Sequence, residues 1–102
     1  MDITIEKERD VIELVLYTWP STDLMRLAQE EGAEFITAIN HLCRQRDGAL
    51  SEVIEEYCDL QIMLGVVGAI LCNDFAAKDR IEDMLVLKLA RFKAHAEAGE
   101  QL

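Results

Sequence analysis

Two strings in this chain carry enough acid at helical spacing for metal-ion chemistry: EEGAE, Glu30 to Glu34, and EYCD, Glu56 to Asp59. Residues three apart on an α-helix stand one turn from each other on the same face. Glu31 and Glu34 therefore form one pair, and Glu56 and Asp59 another. Ionised carboxylates leave water only when something compensates them. With no imidazole or thiolate in the set, the compensation it favours is a hard divalent cation, Mg²⁺ with Mn²⁺ as a possible substitute. A chain with 20 Asp and Glu also produces such strings by chance, and the competing reading is a solvated charge run.

The pairs matter only if helices aim them inward, and the hydrophobic spacing predicts that they do. On the second predicted helix Leu24, Leu27, Ala28, Phe35, Ala38 and Leu42 make one stripe at the 3.6-residue period. Glu31 and Glu34 follow Leu24 and Leu27 by seven residues and fall on it, whereas Glu30, about 100° away, points to its edge. On the third helix the stripe is Val53, Leu60, Met63, Leu64, Val67 and Ile70, with Glu56 and Asp59 within or beside it and Glu55 off it.

Four helices account for the chain. The first runs from about Thr4 to Tyr17, with Ile5, Val11, Ile12, Val15 and Leu16 as its apolar surface, and ends at TWPST. Past Pro20, Ser21 or Thr22 is expected to cap a second helix that reaches Cys43 or Arg44. The polar RQRDGALS connection leads to Ser51 as the cap of a third, Glu52 to Cys72. The fourth spans Ala77 to Ala98 and holds Lys78, Arg80, Lys88, Arg91 and Lys93. No sustained alternation marks a strand, so the expected class is all-α, a four-helix bundle in a single domain over residues 1–102. Gly65 and Gly68 cost about 1 kcal/mol each against Ala in a helix. Their presence points to close approach of another helix, read here as a subunit interface.

Composition excludes several functions. The formal charge of −10 opposes binding to nucleic-acid polymers, which depends on Lys and Arg displacing counterions. The longest apolar segment, LQIMLGVVGAILC, is too short to span a bilayer and reads as a helix covered on most sides by protein. The acidic start MDITIEKERD does not resemble a secretory signal, which places the protein in the cytoplasm. Cys43, Cys58 and Cys72 form no CxxC pair and are odd in number, so they read as buried free thiols. A carboxylate-bridged di-iron bundle would need Glu-x-x-His motifs. Ala38 and Phe92 stand where those glutamates would be, three residues before His41 and His95.

In this context the EExxE and ExxD strings resemble those of the MazG-like, all-α nucleoside triphosphate pyrophosphohydrolases. The resemblance runs from about Leu24 to His95 and includes the basic KLARFK segment. It implies a MazG-like bundle, and assembly as a homodimer or a dimer of dimers (homotetramer) is expected because one subunit of this size gives its apolar third helix too little cover. It implies Mg²⁺-dependent hydrolysis of a (deoxy)nucleoside triphosphate between the α and β phosphates, giving the monophosphate and pyrophosphate. Carried over, Glu31, Glu34, Glu56 and Asp59 are the metal ligands, and Glu30 or another motif acid orients the attacking water. Lys88, on the stripe of Ile81, Leu85 and Phe92, and Arg91, one turn on, are candidates for phosphate contact; the alternative is that they are solvated. Trp19 either stacks on a nucleobase or plugs the corner between the first two helices. His41 either contacts phosphate or is a satisfied interface histidine, and is left outside the site. The rival functions are a non-catalytic helical interaction protein with a decayed site, and a phosphoribosyl-ATP pyrophosphohydrolase-like enzyme.

Overall fold

The computed structural model describes residues 3–101. Among them the chain forms four α-helices and no strand: α1 Ile3–Thr18, α2 Ser21–Cys43, α3 Ala49–Leu71 and α4 Phe75–Ala98. The all-α class follows from apolar residues recurring at helical rather than alternate spacing. Residues up to Ile70 make one compact unit, and Leu71–Leu102 make a second.

In the first unit Leu24 of α2 and Met63 and Val66 of α3 are buried together, with Ile12, Val15, Leu16, Ala28 and Ile70 packed against them. The side chain of Ile5 lies outside the described residues. The α3 stripe is centred differently from its sequence reading. Val66 is buried whereas Leu64 is 61% exposed, because Met63, Val66 and Ile70 are the positions that share the face turned to Leu24. Gly65 does mark a close approach, but the neighbour is α1 of the same chain. A Cβ added there would lie 3.0 Å from Ile12 Cδ1. Gly68 has nothing within 4 Å of such a Cβ.

The helix ends differ from expectation in instructive ways. Pro20, with φ −61° and ψ 146°, precedes α2, and its carbonyl accepts from Asp23 and Leu24 N–H at 3.1 and 3.2 Å. No side chain caps α2, so neither Ser21 nor Thr22 has the expected role. Both fall inside the helix because the fixed φ of Pro20 already sets the chain at its entrance. Likewise Ser51 lies within α3, which starts two residues earlier, after Gly48 at φ 74°. Asp74 caps α4 by accepting from Ala76 N–H at 2.9 Å, and Gly99 at φ 69° ends it.

At the end of α2, Gln45 N–H donates to Leu42 O at 2.9 Å and Arg46 N–H to His41 O at 3.1 Å, the double closure of a Schellman turn. Gln45 holds φ 57° to make it, a left-handed conformation that crowds its Cβ. Replacing Gln45 with Gly should therefore stabilise the chain by about 1 kcal/mol, read as a higher urea midpoint at unchanged slope. A midpoint that falls would contradict this account of the turn.

The three cysteines are free but exposed, contrary to the expected buried thiols. Cys43 and Cys58 lie away from the buried positions of their helices and Cys72 lies in the turn after α3, while the buried apolar residues among the described ones are Leu24, Ala38, Ala49, Met63 and Val66. For the same reason LQIMLGVVGAILC is covered on one side only, with Ile62 at 47% and Leu64 at 61% exposure. No helix among the described residues is long and apolar enough to cross a membrane.

Candidate metal centre

The buried positions of α2 and α3 set the acids. Glu31 lies seven residues after Leu24 and seven before Ala38, and both of those side chains are buried, so its carboxylate is drawn into the unit. On α3, Glu56 precedes Met63 by seven residues and Asp59 precedes Val66 by seven. The two helices thus continue their apolar faces with acid. One carboxylate oxygen from each of Glu31, Glu56 and Asp59 lies within 4.8 Å of the other two. Glu31 and Glu56 are half-buried and Asp59 is exposed.

Glu34 sits at the rim. It follows Leu27, itself 39% exposed, by seven residues, so it shares the edge of the stripe rather than its centre and is exposed. Its charge still governs the cluster. The Glu31 carboxyl is raised above its ordinary value of 4.5 by burial, then by the charges of Glu34 and Asp59, with Glu30 contributing least. Glu56 is raised above 4.5 by burial, then by the neighbouring Glu34, then by Asp59 and Glu31. Glu30 is exposed on α2.

Among the described residues no ion pair relieves this charge. The ion pairs among the described residues are His41 with Glu52 and His95 with Glu100, and neither involves the cluster. Oε2 of Glu31 and Oε2 of Glu56 are buried without a hydrogen-bond partner. An unpartnered buried acceptor is costly, and more so when charged. The all-oxygen chemistry of the three acids suits a hard divalent ion such as Mg²⁺, which would draw their carboxylate oxygens closer together.

Two residues that the sequence reading left aside border the cluster. A depression of about 230 Å³ is lined by Ala33, Glu34, Thr37, Glu52 and Glu56. Glu52 precedes Glu56 by four residues, the one sequence signal that would have brought it in. His41 Nδ1 lies 3.0 and 3.1 Å from the two oxygens of Glu52. A carboxylate only accepts, so the imidazole donates Nδ1–H to it. The bond ties the last turn of α2 to the first turn of α3, where the dipole favours the acid Glu52. His41 is thus satisfied, as expected.

The remaining candidates are not gathered around the acids by any described contact. Lys88 and Arg91 are exposed on α4 in the second unit. Trp19, between α1 and α2, is 53% exposed and does not plug the corner. Comparisons with known protein families, curated proteins and solved structures give no match for this chain.

Proposed function

We propose that the chain is a Mg²⁺-dependent nucleoside triphosphate pyrophosphohydrolase of the MazG-like, all-α type, working in the cytoplasm on free nucleotides. The observation that carries this reading is the meeting of Glu31, Glu56 and Asp59 from two helices, with two buried carboxylate oxygens lacking any partner. A site that stores unrelieved negative charge favours the arrival of a cation. In this reading Glu31, Glu56 and Asp59 hold Mg²⁺, or Mn²⁺ in its place, and Glu34 joins them from the rim. Bound metal supplies an activated water and neutralises charge developing on the phosphates.

The chain's own residues do the rest. Glu30 or another motif acid accepts a proton from the attacking water and orients it towards the α,β anhydride, whose cleavage releases the monophosphate and pyrophosphate. Lys88 and Arg91 are assigned to phosphate oxygens, and Trp19 to the base. The −10 charge makes metal the natural bridge to an anionic substrate. Assembly as a homodimer or a dimer of dimers belongs to the same reading.

The test is Mg²⁺-dependent turnover of free ribo- and deoxynucleoside triphosphates set beside phosphoribosyl-ATP. Preference for free nucleotides supports the proposal, and preference for phosphoribosyl-ATP transfers the site to that related chemistry. No turnover of either leaves a helical interaction protein whose acids no longer catalyse.

A further inference from the structure

Glu52 is an acid of α3 to which the metal-ion reading gives no role. It stands four residues before Glu56 and lines the same depression as Glu34 and Glu56. Residues four apart share a helix face, so the spacing of α3 does not set Glu52 apart from the cluster. Its carboxylate is nevertheless engaged elsewhere. His41 Nδ1 lies 3.0 Å from Oε1 and 3.1 Å from Oε2, so one N–H faces both oxygens. Arg44 and Arg46 lie in the connection between α2 and α3, yet neither forms an ion pair with Glu52; the partner comes from within α2. The charges that raise the Glu56 carboxyl are those of Glu34, Asp59 and Glu31. Glu52, one turn away along the same helix, is not among them.

We infer that His41 is a positioning residue for the acid cluster: by holding Glu52 at the junction of α2 and α3, it keeps a further carboxylate out of the space shared by Glu31, Glu34, Glu56 and Asp59. The inference rests on the reading of those acids as a cation site and deepens it, because it says how many carboxylates the ion meets.

The chemistry gives the restraint a use. Mg²⁺ binds through one or two carboxylates together with waters and substrate phosphates, and a hard ion is held more tightly as charged ligands are added. An oxygen of each of Glu31, Glu56 and Asp59 already lies within 4.8 Å of the other two. A further carboxylate would occupy a position that water or phosphate needs and would repel an incoming anion. The restraint does not depend on the charge of the imidazole, because Nδ1–H is available in one neutral tautomer as well as in the cation.

Calorimetric titration of Mg²⁺ into the full chain, with no nucleotide present, tests it. His41→Phe keeps a ring and removes the donor, which frees Glu52 to turn towards the cluster. Mg²⁺ should then bind on the order of tenfold more tightly than in the wild type. His41→Asn keeps a donor near the Nδ1 position and should stay at the wild-type affinity. In His41→Phe/Glu52→Gln the gain should disappear, since the amide brings no charge. A contact that merely held the two helices together would give the opposite sign, with weaker binding in His41→Phe and no recovery in the double variant. If far-UV circular dichroism shows lost helix in His41→Phe, His41→Ala takes its place. A wild type that takes up no Mg²⁺ would overturn the cation site and this inference with it. A wild type that binds would leave the cation site standing and overturn the role of His41 alone under any of three results: binding in His41→Phe that is equal or weaker, a gain that survives Glu52→Gln, or the same gain in His41→Asn.

Discussion

At pH 7.5, Mg²⁺ at about a hundred times its dissociation constant should raise the melting temperature of the wild-type chain on the order of 10 °C, from about 2.7 kcal/mol of binding linkage. EDTA should return it. The basis is the unpaired cluster: Glu31 and Glu56 have raised pKa values, so each folded carboxyl resists ionisation more than its unfolded counterpart. The sign of the pH dependence follows. Their contribution to stability is fully present below about 4.5, the ordinary value, and is lost as pH rises through the raised folded values. Metal-free protein should therefore lose stability from mildly acidic pH towards neutrality. The double variant Glu31→Gln/Glu56→Gln should flatten that decline and remove the response to Mg²⁺. Thermal melts from pH 4 to 8 with and without the ion provide the check. A metal-free protein that gains stability towards neutrality would show that the cluster is compensated in some other way.

The second large effect is on turnover. Asp59→Asn and Glu56→Gln keep shape and remove charge, so each should lower Mg²⁺-dependent hydrolysis by about 10³-fold or more. Glu34→Ala should abolish it too, since Glu34 bears on both half-buried acids from the rim. The informative feature is the opposite sign of the two readouts. In metal-free protein Glu56→Gln should raise the melting temperature while activity is lost, because the native carboxylate is kept at a cost to folding. Loss of activity together with loss of the fold would instead make Glu56 a structural residue. Circular dichroism alongside the initial rate separates the two outcomes.

The helices and the acids were legible because both depend on spacing within one element. Leu24, Glu31 and Ala38 share a face by periodicity alone, and so do Glu56 with Met63 and Asp59 with Val66. What spacing does not supply is the phase set by neighbours. Leu64 and Val66 are equally apolar, and the packing of Leu24 decides that Val66 is buried. Gly65 announced a close helix without saying which, and the answer, Ile12 of α1, is a contact between distant parts of the sequence. The caps failed for a local reason: Ser21, Thr22 and Ser51 all have capping chemistry, but Pro20 and Gly48 set the backbone before they are reached. Glu52 carries little signal in the sequence because its partner, His41, lies eleven residues back on another helix.

The most direct measurement of the central claim is the position of the bond that breaks. Purified protein with Mg²⁺ and a panel of ribo- and deoxynucleoside triphosphates, its products resolved as monophosphate, diphosphate, pyrophosphate and orthophosphate, should give monophosphate and pyrophosphate in equal amounts. Diphosphate with orthophosphate, or no product from any nucleotide, would contradict the assignment of Glu31, Glu34, Glu56 and Asp59 to α,β hydrolysis.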